Sequence, residues 1–180
     1  MNGEAMDDRK SVLKAFWAAA AISLVLHILQ PWGRFALYPF AMLSTWAHEM
    51  GHGLSAELVG GDFQRLHLFS NLGGVAFYNG VPKLLDPFVA IGGLLGPALL
   101  GAAVIVLSAR STDWARAVMG ALALSVALSW LLWVRNLFGF FAVGGLTALL
   151  GFIAFKGLPW MQVGAVQLCG IQLCLGGLAD

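Results

Sequence analysis

Charge is what this chain has least of. Only 11% of its 180 residues are Asp, Glu, Lys or Arg, while 59% are apolar. A soluble domain is about 25% charged, and its surface could not hide such an excess of apolar side chains from water. The shortage therefore excludes an ordinary soluble enzyme, and the apolar content excludes a disordered tail. Ten basic residues against nine acidic ones leave a net charge of +1. There is no basic field for phosphates, and nucleic acid is not an expected partner. Cysteine is almost absent. Cys169 and Cys174 stand five residues apart in one apolar stretch, so on a helix they point away from each other, which excludes a local disulfide and a CxxC metal site. No internal repeat or low-complexity linker divides the chain, which reads as a single domain over residues 1–180.

What is present in quantity is long apolar runs. The expected fold is an all-α membrane protein of about six transmembrane helices, embedded in a lipid bilayer. The runs cover residues 15–29, 35–59, 87–108, 115–134, 140–155 and 159–179, after a polar segment at 1–14. The first run has a basic flank but no small-x-small cleavage site after it, so it reads as a retained span. Counting basic residues places Arg9, Lys10 and Lys14 with Arg65, Lys83 and Arg135 on the cytoplasmic side. Between the second and third spans, Gly60 to Pro82 carries short alternating segments and the turn residues Ser70-Asn71-Leu72-Gly73-Gly74. It predicts a short β-hairpin closed by Asn79-Gly80, held at the interface or inside the bundle, because bare strand edges are not tolerated in lipid. Asp86-Pro87 reads as a helix start with Asp86 as N-cap. Gly92 and Gly96 form a small-xxx-small pair for close helix packing.

The second span contains His48-Glu49-Met50-Gly51-His52, an HExxH pattern. Residues four apart on a helix are offset by only about 40°, so both histidines can offer a ring nitrogen to one metal ion. Glu49 lies about 100° round from His48, where it can reach a water at the metal without competing as a ligand. This is the arrangement of a metallopeptidase, with a carboxylate that takes a proton from water and passes it to the leaving amine. Thr45, His48, His52 and Ser55 form one polar stripe, which should face the bundle interior. A third protein ligand is not evident from spacing, since Ser55 and Leu58 occupy the places where an extended HExxHxxGxxH motif would continue. Glu57 lies about 140° round from His52 and reads as an interfacial residue. His67 reads as a strand histidine facing solvent or headgroups, His27 as a satisfied core histidine, and Asn136 as a helix cap. Asp180 follows the sixth span directly and could approach a metal held by the second if those helices pack together.

His48-Glu49-Met50-Gly51-His52-Gly53, the following Gly60-Gly61, the hairpin with Gly73-Gly74 and the run Gly92-Gly93-Leu94-Leu95-Gly96-Pro97 together resemble the site-2 protease family of intramembrane zinc metalloproteases, in its compact branch without a PDZ domain. The resemblance runs from about Ala41 to Gly101. It implies one Zn2+ per chain, held by His48, His52 and a distant aspartate, with Glu49 as catalytic base. The family's usual NPxPxxDG-like context is absent, and by position the late aspartate is Asp180. The resemblance also implies a membrane protein or peptide as substrate, regulated intramembrane proteolysis as the setting, and a prokaryotic cell membrane as the location. An extended substrate could add as a strand beside the hairpin, where Gly73 and Gly74 allow close backbone approach. The competing readings are a catalytically silent membrane protein that keeps the metal site for regulation, and a small transporter. The transporter predicts paired intramembrane charges and repeated broken helices, and neither is visible.

Overall fold

The computed structural model describes residues 2–29 and 31–176, with side chains described from Lys10 onward. Six helices and one hairpin follow in order: α1 (Asn2–Ile28), α2 (Trp32–Leu58), β1 (Asp62–Leu68), β2 (Gly74–Asn79), α3 (Asp86–Ser108), α4 (Thr112–Leu132), α5 (Leu137–Lys156) and α6 (Pro159–Gly176). α1 extends the first apolar run back through the polar N-terminal residues. A short 3-10 turn at Lys83–Leu85 leads into α3. Asp86 is the first residue of that helix, with Leu85 at the N-cap position and no side chain capping it. The expectation of an Asp86 cap is thereby corrected.

Among the described residues, four segments are long and apolar enough to cross a membrane: Lys10–Ile28, Lys83–Ser108, Thr112–Leu132 and Leu137–Lys156. The chain is an integral membrane protein. α2 and α6 fall outside that set for a physical reason. α2 carries Arg34, His48, Glu49, His52 and Glu57, and its middle is packed among its neighbours, with Leu43, Trp46, Ala47, Met50 and Ala56 all buried. A helix segment packed inside protein does not need an apolar lipid-facing surface. On α6, Gln162, Gln167 and Gln172 are buried and bond to neighbouring helices.

α2 packs chiefly against α3, and the two run antiparallel, with Gly96 against Ala47 and Gly92 against Ser55. Their close approach depends on glycine: a Cβ on Gly51 would collide with the Gly92 carbonyl, and one on Gly92 would collide with the Ser55 side chain. The far side of α2 meets α4 through Trp46, whose Nε1 donates to the buried Ser129 Oγ at 2.7 Å. Ser129 in turn donates to the Val126 carbonyl, so both groups are satisfied inside the bundle.

The hairpin is antiparallel, with Asp62 opposite Asn79 and Leu68 opposite Gly74. Its turn is Phe69–Gly73, not Asn79-Gly80, which end β2 at the open side of the ladder. Leu72 adopts a left-handed conformation (φ 69°) at this turn. The turn is pinned along α2 by Tyr38, whose hydroxyl donates to the Ser70 carbonyl, and by Thr45, whose hydroxyl donates to Leu72 at 2.8 Å. The alternation along β1 breaks at Gln64, where the register shifts. That bulge lets Phe63, Leu66 and Leu68 all be buried, because an extra residue flips the side-chain phase.

The outer edge of β1 is covered by the α4–α5 connection. Leu66 N–H donates to Trp133 O at 2.8 Å, and Arg135 N–H donates to Leu66 O. Asn136 closes the row: its Nδ2 donates to Leu68 O at 2.6 Å and its Oδ1 accepts from Leu68 N–H at 3.1 Å. Asn136 stands at the N-cap position of α5, but its side chain clamps the hairpin and does not cap the helix. Among the described residues only the outer edge of β2 pairs with no strand.

α1 lies against α6, with Gln172 Nε2 donating to Ser23 Oγ at 2.7 Å. Its first half borders a groove with Ile105, Ala109 and Arg110, at the end of α3 farthest from the hairpin. Lys10 and Lys14 are therefore grouped with Arg110, and the expected grouping with Arg65, Lys83 and Arg135 does not hold.

Candidate metal centre

The HExxH residues occupy the middle of α2, where that helix faces both α3 and the hairpin. One turn of helix brings the two imidazoles together: His48 Nε2 and His52 Nε2 are 3.0 Å apart, with ring centroids at 4.7 Å and planes 78° apart. Two nitrogens bound to one tetrahedral zinc at about 2.0–2.1 Å would stand about 3.3 Å apart. The donor pair therefore fits such an ion.

The second nitrogen of His52 settles its tautomer. Nδ1 lies 3.0 Å from the Val89 carbonyl. A carbonyl can only accept, so Nδ1 carries the hydrogen and the neutral ring keeps its lone pair on Nε2, toward His48. The main chain of α3 also sets the ring's position. A Cβ on Gly93 would collide with the His52 imidazole, so only glycine admits the ring at that level. The Gly92-Gly93 doublet carried this signal in the sequence, while the Val89 carbonyl carried none.

Glu49 is 7% exposed and lies under the start of β2. A Cβ on Gly74 would stand 2.9 Å from Glu49 Oε1. The hairpin backbone thus roofs the carboxyl group, and the uncovered β2 edge begins beside it. Gly73 belongs to the preceding turn, where its N–H donates to Asn71 Oδ1 at 3.1 Å.

The remaining candidates are dispersed. Glu57 accepts from Phe63 N–H at 2.7 Å, tying the end of α2 to the start of β1, a role the sequence did not suggest. His67 lies on β1 with its ring edge-on to Phe77 at 4.8 Å. Partial burial, and then the charge of Arg65, lower its pKa. His27 Nδ1 donates to Ser23 O at 2.8 Å. His27 also borders a cavity of about 220 Å³ with Ser44, Thr45, Gln172 and Gly176. That cavity begins one helical turn before His48 and is large enough for several waters. Asp180 lies outside the described residues. Among the described residues, no three His, Cys, Asp or Glu side chains converge on one point.

Comparison with known proteins agrees with this geometry at the level of the family. No curated protein and no solved structure matches the chain. The profile of the Peptidase M50B-like family matches residues 18–180, a stretch that holds the paired imidazoles, Glu49 and the hairpin. The chain belongs to this family, and so to the site-2 protease type of membrane metallopeptidases.

Proposed function

We propose that the protein is an intramembrane zinc endopeptidase that hydrolyses a peptide bond in or beside a transmembrane segment of another protein. The observation that carries this reading is the pair of Nε2 atoms 3.0 Å apart, one of them oriented by Val89. In this reading α2 and α6 also span the bilayer, as parts of a single six-span domain.

His48 and His52 hold one zinc ion, and Asp180 completes the protein ligands. Gly176 packs against Ser44, one turn before His48 on α2. Four further residues span at most about 14 Å, a chain length that would let an aspartate at position 180 serve as this ligand. Zinc, when bound, acidifies water and polarises the scissile carbonyl. Glu49 takes the proton of the attacking water and returns it to the departing amine nitrogen. Its enclosure by Gly74 and α2 keeps bulk water away, which strengthens each charge interaction in the site. The substrate lies as an added strand on the outer edge of β2, held by main-chain hydrogen bonds, so its scissile bond passes Glu49. β1 cannot accept it, because Trp133, Arg135 and Asn136 already occupy that edge.

The test is cleavage of transmembrane peptides by the purified protein in liposomes. Cleavage should stop on chelation and return with zinc. Cleavage that persists through exhaustive chelation would exclude a metallopeptidase, whereas zinc binding with no cleavage of any peptide would favour the silent regulatory reading.

The strand-addition geometry makes a separate prediction. Gly74→Val puts a branched side chain against the Glu49 carboxyl group while suiting a strand. Cleavage should fall about 10²-fold, the scale of a misplaced catalytic group, with zinc content unchanged. Wild-type turnover in this variant would remove Gly74 from the site.

A further inference from the structure

At the opposite end of the molecule from the metal centre, a groove of about 700 Å³ opens between α1, the end of α3 and α6. Its walls are apolar, including Val12, Phe16, Ile105 and Ala109, and two polar groups interrupt them: Arg110 and Gln167. Gln167 is fully buried. Its Nε2 donates to Ser108 Oγ at 3.0 Å, while its Oε1 has no hydrogen-bond partner.

Turning the amide over does not remove this orphan. Ser108 has one hydroxyl hydrogen, and it is given to the Val104 carbonyl at 2.6 Å. Toward Gln167 the hydroxyl can therefore only accept, so the amide must present its NH2 there. The carbonyl oxygen of this groove-lining residue is left buried without a donor, a costly state unless something supplies one. The occupant must therefore combine an apolar body with a hydrogen-bond donor.

Arg110 specifies its charge. The guanidinium lies 4.8 Å from the centroid of the Trp114 ring, an arrangement that leaves its edge donors available to an oxyanion. Among the described residues, Arg110 is the one charged residue lining the groove.

We propose that this groove is a binding site for one anionic phospholipid whose head group carries free hydroxyls. An acyl chain fills the apolar trough, the phosphodiester meets Arg110, and a head-group hydroxyl donates to Gln167 Oε1. The site is separate from the metal centre and does not depend on the proteolytic reading.

The test is lipid retention by the full chain in detergent, read by native mass spectrometry with three dioleoyl lipids. Phosphatidylglycerol offers the charge and the hydroxyls, phosphatidylmethanol the same phosphodiester without hydroxyls, and phosphatidylcholine neither a net charge nor a hydroxyl. Retention should rank in that order, with phosphatidylglycerol held about tenfold better than phosphatidylcholine, the scale of one to two basic contacts. Arg110→Gln, at an exposed position, should bring both anionic lipids down to the phosphatidylcholine level. Gln167→Met, similar in volume, should erase only the advantage of phosphatidylglycerol over phosphatidylmethanol. Elution as a single species and an unchanged unfolding temperature establish that each variant is folded. Equal retention of the three lipids, wild-type ranking in both variants, or a second copy of the chain bound without lipid would each overturn the proposal.

Discussion

Glu49→Gln is expected to lower peptide-bond hydrolysis by about 10²–10⁴-fold, the usual contribution of a positioned acid-base group, while zinc content stays at the wild-type level. Glutamine keeps the shape of the side chain and its contact with Gly74 but cannot accept the proton of the attacking water. Glu49 lies beside the histidines on α2 and is almost enclosed, at 7% exposure. An ionisable group kept in such a place is more costly than an amide, so the variant should fold at least as well as the wild type. That separates chemistry from folding: an inactive, zinc-loaded and fully folded variant is the expected result. Undiminished cleavage in zinc-loaded Glu49→Gln would remove Glu49 from the mechanism. The measurement is the initial rate of peptide cleavage in liposomes beside metal analysis of the same preparation.

The second large effect falls on metal affinity. His52→Ala removes one of the two imidazoles and leaves the Val89 carbonyl without its donor. Loss of a partner that only orients a ligand typically costs about 10–100-fold in affinity. Loss of the ligand itself should exceed that range, and His48→Ala should behave alike. Competition with a zinc-selective indicator measures the change directly. A dissociation constant within a few-fold of wild type in both variants would mean that zinc, if bound, sits elsewhere. The two experiments read different properties. Glu49→Gln is expected to change rate without affinity, and His52→Ala to change affinity and, with it, rate.

The parts of this molecule that were legible in its sequence share one property: they depend on neighbours along the chain. The helix limits follow from where apolar runs meet Pro31, Gly60, Pro159 and the polar connections. The convergence of His48 and His52 follows from the helical repeat alone. The close packing of α2 on α3 was foreshadowed by Gly92 and Gly96. What escaped depends on residues far apart in sequence. Asn136 reads as a cap from its neighbours, but its amide is used on Leu68, 68 residues away. Glu57 gained its partner only when the bulged β1 strand folded back over the end of α2. The hairpin turn was misplaced because both Asn79-Gly80 and Ser70–Gly73 are turn-formers, and the choice was made by Tyr38 and Thr45 on α2. Which basic residues share the end where α1 begins was not legible, because counting charges assumes regular alternation of spans. Here α1 leans on α6, and its first half meets the end of α3.

The most direct test of the central claim is zinc-edge X-ray absorption on the purified wild-type protein after zinc reconstitution, with the metal counted per chain. The expected result is about one zinc per chain, two imidazole nitrogens at about 2.0–2.1 Å, oxygen ligands for the remainder and no sulfur. A chain that binds no zinc after reconstitution, or a spectrum without imidazole scattering, would contradict it.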